Sequence, residues 1–521
     1  MKSRKRYSVL NALWGFGGQL LNIILKFACR TVFIKTLGTT YLGINGLFSD
    51  ILMMLSLAEL GFDTAITYRL YKPVAEQDNG QVIAFVKLFK KIYSVVGVVI
   101  FVAGLVFIPL LKYIIADYDK LGALGIDAVL IFLLYLIQNI SSYFFGAYKA
   151  IVLRVHQEQY LLDITAIGVN FISCVTQIAI LLITKDFIYY IWVLTIFVVL
   201  QNIVNGIVAK KTYPQYFKKT EFKLTKNDIK DLFKDCSALF VYKINNVVMK
   251  ATDNIVLSSM IGLSIVGLYS NYLLVYVAIV GILQKLLNAV KDSLGNLFVS
   301  NNDEKKYFFF EVMNFVVILL YGSIGLSFAL GINDFIYLWI GEEYVISQPF
   351  PVLIGIELLL TGLKQNLAQI RHVSGIFRQM WYRPIIGSLI NIILSVVFAK
   401  IYGIAGVIMG TIAAAIFANL SIDPILIHKY SFNNFKTARY YYTKNVIFIA
   451  VLIVSGILNY YLTESIFCEH SWLNLIMKTC WLMISIPMFF FIIFHSKKES
   501  QYLIEQFYHI LPTKVKHIVK Y

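Results

Sequence analysis

Lys26 and Arg30 stand four residues apart in an otherwise apolar run, so a helix carries both on one face. Glu357, Lys364 and Arg371 recur at intervals of seven and share a second helical stripe, with Gln365 and Gln369 beside it. Lys243 and Lys250 are also seven apart, and Asp253 lies one turn beyond Lys250. Glu59 and Asp63 are again one turn apart, downstream of Asp50. Ammonium and guanidinium groups bind phosphate oxygens, the guanidinium through two parallel hydrogen bonds. A carboxylate at the same depth either neutralises such a cation or holds a coupling H⁺ or Na⁺. The candidate substrate-binding residues are therefore Lys26, Arg30, Lys243, Lys250, Lys364 and Arg371, and the candidate ion-coupling residues are Glu59, Asp253 and Glu357. Each has a plainer alternative. Lys250 and Asp253 can neutralise each other, Glu59 can form a structural pair, and Arg30 and Arg371 can snorkel from helix ends.

Bond-making chemistry finds no support. There is no GxxxxGK[ST] phosphate loop, and Gly15-Phe16-Gly17-Gly18 lacks the third glycine of a dinucleotide fingerprint. The seven His never form HExxH, and His372 beside Arg371 reads as a helix-end pair. The five Cys, at 29, 174, 236, 468 and 480, form no CxxC, so neither a metal site nor a disulfide framework is implied. No catalytic residue, cofactor or metal is expected.

These charges are notable because of the elements that must carry them. Of 521 residues 59% are hydrophobic and only 14% charged, with mean hydropathy +0.73. A soluble domain carries about 25% charged residues, so the bilayer is the solvent here. Aromatic residues, 15% of the chain, suit lipid-facing Phe and interfacial Tyr. Spans are expected at about 8–34, 42–68, 92–115, 126–148, 160–184, 187–209, 236–261, 265–290, 308–331, 350–374, 384–399, 404–428, 445–463 and 472–495, fourteen in all. Each is near the roughly 20 residues that cross a hydrocarbon core. A charge within a span costs about 2.5–3.5 kcal/mol on insertion scales, and usually faces a cavity or a partner. Lys26 sits roughly 12 Å from the expected outer end of its helix at 1.5 Å per residue, near the limit of snorkelling.

The net charge of +17 is distributed by side. Thirty-three of the 46 Lys and Arg fall at the termini and alternate loops, four (Lys35, Lys120, Lys185, Lys400) on the other side, and nine within spans. Positive charge concentrates in cytoplasmic loops, so both termini are expected in the cytoplasm and a nucleic-acid partner is disfavoured. The basic start before a long first helix reads as an uncleaved span. Outer loops are short. The longest expected, about 332–349, holds Asp334, Glu342 and Glu343 and is small for an enzyme acting on glycans.

The longest polar interruption, 210–235, carries eight Lys and separates six spans from eight. A shift of 224 positions lays Leu37-Gly38-Thr39-Thr40-Tyr41-Leu42-Gly43 on Ile261-Gly262-Leu263-Ser264-Ile265-Val266-Gly267, and pairs Asn22 with Asn246 and Lys26 with Lys250. The expected fold is therefore all-α. It comprises a six-helix lobe over 1–209, a basic cytoplasmic linker over 210–235, a parallel six-helix lobe over 236–428, an extra helix pair over 429–495 and a basic cytoplasmic tail over 496–521. Repeats of this kind place substrate paths between lobes. The tail from Ser500 to Leu511 has the pattern of a short amphipathic helix suited to headgroups, or of a solvated extension.

Arg30-Thr-Val-Phe-Ile-Lys-Thr-Leu-Gly38, Tyr41-Leu-Gly-Ile-Asn-Gly-Leu-Phe48 and Leu57-Ala-Glu-Leu-Gly-Phe62 resemble the polysaccharide-biosynthesis flippases (Wzx type) of the multidrug/oligosaccharidyl-lipid/polysaccharide exporter superfamily. Thr252-Asp-Asn-Ile-Val-Leu257 and Ile261-Gly-Leu-Ser-Ile-Val-Gly-Leu-Tyr269 resemble the second lobe of the same family, and the layout extends over about 8–428. The resemblance implies alternating access by a V-shaped pair of lobes in a bacterial cytoplasmic membrane. The implied substrate is an undecaprenyl-pyrophosphate-linked oligosaccharide held in a cation-lined cavity. Membrane lipids and the polysaccharide polymerase machinery are the implied partners, and the last two helices resemble the pair that forms a lipid-tail groove in lipid II flippases. Competing expectations are a multidrug exporter of the superfamily, a lipid II flippase and, among enzymes, a glycan polymerase.

Overall fold

The structure, a computed structural model, describes residues 4–510 apart from 57–61, 116, 117, 124, 125, 219–221, 223, 300–302, 375, 377, 433–435 and 468, and for some helical stretches, including 233–246 and 248–250, the backbone alone. The described elements are helices, with no strand among them. Sixteen carry the argument. They are α1 Arg4–Leu37, α2 Thr39–Leu55, α3 Phe62–Ala75, α4 Asn79–Phe107, α5 Ala128–Val155, α6 Gln159–Thr184, α7 Phe187–Thr212 and α8 Lys226–Met260. There follow α9 Leu263–Val299, α10 Asp303–Ile340, α11 Phe350–Ser374, α12 Arg383–Tyr402, α13 Ile404–Ser431, α14 Lys436–Ile466, α15 Trp472–Phe494 and α16 Lys498–Ile510. Among the described residues ten helices are long and apolar enough to cross a membrane. The protein is a polytopic helical membrane protein.

Every expected span coincides with helix, with two adjustments. Within the stretch 42–68 the helices described are α2 and α3, and 57–61 lie outside the described residues. The long outer loop is shorter than expected, because α10 runs on to Ile340 and places Asp334 inside a helix. Polar caps set the starts. Asp78 accepts from the Gln81 amide, Asp186 from Ile188, and Asp127 from both Val129 and Leu130. Thr225 and Asp228 form a reciprocal capping box that starts α8 at the end of the basic linker.

The chain divides into two compact units, 1–270 and 271–521. In the first, α1 lies along α6, joined where the Cys29 thiol donates to Gln177 and the Asn170 amide to Asn22. Asn205 and Gln201 of α7 meet Thr165 of α6, while Gln138 of α5 donates to Thr195 of α7. Short polar ties of this kind are effective between helices that gain little hydrophobic drive from burial in lipid.

The segments that the 224-residue shift aligns touch in this unit. Gly38 and Gly262, equivalent under the shift, both take positive φ (84° and 126°), a conformation open to glycine, and turn the chain into α2 and α9. The two helix starts then meet. Thr40 and its equivalent Ser264 share a hydrogen bond of 3.3 Å. A Cβ on Gly43 would fall on the Leu263 carbonyl, and one on Gly267 would fall on the Thr39 carbonyl. Each contact exchanges with its counterpart under the shift, which is the signature of a local two-fold axis.

The second unit packs α10 against α11 and α15. Phe315, Phe448, Phe490 and Phe494 form its aromatic centre. The tail helix α16 docks rather than extending into solvent. Glu499 and Ser500 are buried, Tyr502 meets Phe308 edge-on, and Lys444 of α14 binds Glu499 together with Glu311 of α10.

Candidate functional site

Arg30 on α1 is a half-buried cation of the first unit. Its Nη1 donates to Ser270 Oγ at 3.1 Å, and that hydroxyl donates onward to the Gly267 carbonyl at 2.7 Å. Tyr135 and Tyr190 lie within electrostatic reach of the guanidinium. Among the described residues no carboxylate lies within ion-pair distance, so neutral dipoles alone answer its charge. A half-buried guanidinium in that position presents donors to an anion. Lys26, one turn earlier on α1, is exposed. Asp50 of α2 is 9% exposed and accepts from Asn254 of α8 at 2.5 Å, next to buried Asp253. Under the shift Arg30 corresponds to Asn254 and Gly46 to Ser270, so the Arg30–Ser270 bond and the approach of Asn254 to Gly46 are equivalent contacts.

In the second unit the stripe on α11 is assembled around a carboxylate. Glu357 Oε1 accepts from Lys364 at 2.8 Å and from Thr361 at 3.0 Å, and Thr361 also meets Tyr276 of α9 at 2.9 Å. Gln365 accepts from Tyr321 at 2.7 Å. Glu357 Oε2 is buried with no hydrogen-bond partner among the described residues, an open position beside a neutralised lysine.

Arg371, on the same stripe, is turned into the protein. It is 6% exposed and binds Asp423 of α13 at 2.9 Å. Arg383 of α12 grips the same carboxylate through Nε at 2.7 Å and Nη2 at 2.6 Å. Asp423 is fully buried, so two guanidiniums and one carboxylate form a clasp joining three helices, with one excess positive charge. Sequence spacing singled out Arg371 but neither Arg383 nor Asp423, because a residue 40 or 52 positions away leaves no periodic trace. A second cluster was equally invisible: Lys478 of α15 binds Asp334 at 2.7 Å, with His470 3.5 Å from the other oxygen. Glu59 lies outside the described residues. Lys243 and Lys250 lie on the α8 backbone, but their side chains are outside what is described. Among the described residues no group of His, Cys, Asp and Glu is arranged to hold a metal.

The fold is a multi-helix membrane architecture, and solved structures carry a similar one. A lipid II flippase, MurJ, in an inward closed conformation aligns over 94% of this chain and 99% of its own, at 15% identity and TM-score 0.63. An inward-facing multidrug resistance MATE transporter of the MOP superfamily aligns over 78% and 94%, at 13% identity and TM-score 0.58. A mutant of the Vibrio cholerae MATE transporter VcmN aligns over 82% and 98%, at 13% identity and TM-score 0.51. No curated protein sequence matches significantly. The family model described as polysaccharide biosynthesis protein matches residues 8–290. The chain belongs to the polysaccharide biosynthesis protein family.

Proposed function

We propose that this protein is an alternating-access flippase that carries an undecaprenyl-pyrophosphate-linked oligosaccharide repeat unit across the bacterial cytoplasmic membrane for surface polysaccharide biosynthesis. In this reading both termini are cytoplasmic, the lobes are 1–209 and 236–428, and the segments 210–235, 429–495 and 496–521 are the linker, the added helix pair and the tail. The observation that carries it is Arg30, half-buried and met by neutral groups among the described residues, in a family that serves polysaccharide synthesis. A pyrophosphate supplies the missing countercharge. Lys26, Lys243 and Lys250 add phosphate-binding positions in the first unit and Lys364 in the second. Glu357 holds Lys364 until H⁺ or Na⁺ takes its place, which couples headgroup binding to an ion. Asp253 and Glu59 are assigned the same coupling role on α8 and on the second expected span, and Arg371 a supporting one within its clasp. The polymerase machinery receives the delivered unit.

Sidedness of a labelled polyprenyl-pyrophosphate oligosaccharide in proteoliposomes tests the reading. Protein-dependent transfer is expected, and Arg30→Gln and Lys364→Gln should each abolish most of it at normal protein levels. Movement of a cationic dye without transfer of the glycan would assign the protein to drug export instead. A lipid II substrate is the second reading, favoured by the 94% coverage against MurJ where the MATE transporter above spans 78%. Transfer of lipid II in preference to the oligosaccharide would select it.

A further inference from the structure

Three lysines from three helices converge at one end of the first unit, away from Arg30. Lys90 of α4 lies over the Tyr148 ring at 5.9 Å and Lys149 of α5 over the same ring at 5.4 Å. Lys210, near the end of α7, acts electrostatically on Lys149 together with Lys90. None of the three forms an ion pair among the described residues, although Arg154 nearby on α5 is matched by Asp63. Holding three ammonium groups together without a countercharge is unfavourable, and the fold does hold them. Tyr148 is buried and fixed. A π-helical turn at Ser142–Gly146 brings α5 close to α7, and the stem of Lys149 runs through the space left by Gly206, where a Cβ would come within 3.0 Å of it. Lys149 therefore lies against α7.

The surface beside the cluster is apolar. Val98 on α4, Phe144 on α5, and Ile203 and Ile207 on α7 are exposed at 53%, 37%, 36% and 58%. Phe144 packs against α4 at Gly97, so the three helices form one continuous surface there. A cationic head position joined to an exposed apolar flank matches a molecule with an anionic phosphodiester and acyl chains. Basic pockets between membrane helices select such lipids. We infer that Lys90, Lys149 and Lys210 form a site for the headgroup of an anionic phospholipid, whose chains lie along α4, α5 and α7. The site is separate from the proposed transport path, and its occupancy does not depend on what the protein carries.

The test uses the full chain in nanodiscs of phosphatidylcholine with a minor fraction of phosphatidylglycerol, and native mass spectrometry of the lipid that stays bound. Wild type should retain phosphatidylglycerol preferentially. The Lys90→Gln/Lys149→Gln/Lys210→Gln variant should lose that preference by about a hundredfold, the effect of three lysines at a membrane surface. Replacing the same three by Arg should restore it, which separates charge from folding. Removing three charges elsewhere on that side, Lys91→Gln/Lys211→Gln/Lys218→Gln, should leave it intact. Equal loss in this control would mean diffuse attraction and overturn the site. Absence of any preference in wild type, or displacement of the lipid by millimolar inorganic phosphate, would overturn it as well.

Discussion

Replacing Gly43 by alanine places a methyl group on the Leu263 carbonyl, where the starts of α2 and α9 touch. Neither backbone can yield without separating the two helices. Overpacking of this kind costs about 1–3 kcal/mol, which is roughly a 5- to 150-fold shift toward any conformation in which the two helix starts part. Gly267→Ala should act equally, because its Cβ meets Thr39 in the equivalent contact. The double variant should cost less than the sum, since separation relieves both clashes at once. Thr40 and Ser264, hydrogen-bonded at 3.3 Å, supply the assay. In a background with the five native cysteines replaced, the Thr40→Cys/Ser264→Cys pair should cross-link rapidly, and Gly43→Ala should slow that cross-linking by the factor above. An unchanged rate would refute the reasoning, because the helices would then be adapting without parting.

Other outcomes follow from the ion pairs and caps. Glu357→Gln should release Lys364 and make transport less dependent on the coupling ion, read by comparing flux across imposed pH and Na⁺ gradients; an unchanged dependence would exclude Glu357 from coupling. Asp423→Asn leaves Arg371 and Arg383 buried without their shared carboxylate, and a broken buried pair costs about 3–5 kcal/mol. The thermal unfolding midpoint in detergent should fall sharply, whereas Arg371→Met/Asp423→Leu/Arg383→Met should recover most of it. At the start of α8, hydrogen bonds from Thr225 hold the Asp228 carboxyl below the usual carboxylate range. A depressed value means the cap stabilises fully above the unfolded carboxylate pKa and fades as pH falls through the lower folded one. Thr225→Ala should cost about 1 kcal/mol near neutrality and less in acid, measured as hydrogen exchange of the first turn of α8.

The membrane class and the helix positions were legible in the sequence because lipid imposes local rules. A span must be apolar over a fixed length and its backbone must bond internally, so each feature can be read within a short window. Lys26, Arg30, Glu357 and Lys364 were visible for the same reason: a charge is conspicuous in an apolar run. Partners on other helices were not, because such pairing depends on which helices pack together. Lys364 is neutralised on its own helix by Glu357, seven residues away, whereas Arg371, on the same stripe, is satisfied by Asp423 from a helix 52 residues later. Spacing alone treats those two cations alike. The repeat likewise aligned Gly43 with Gly267, but only the tertiary structure made each glycine the room for the other's helix. A period along the chain records which face a residue is on; what occupies the space in front of that face is decided by packing.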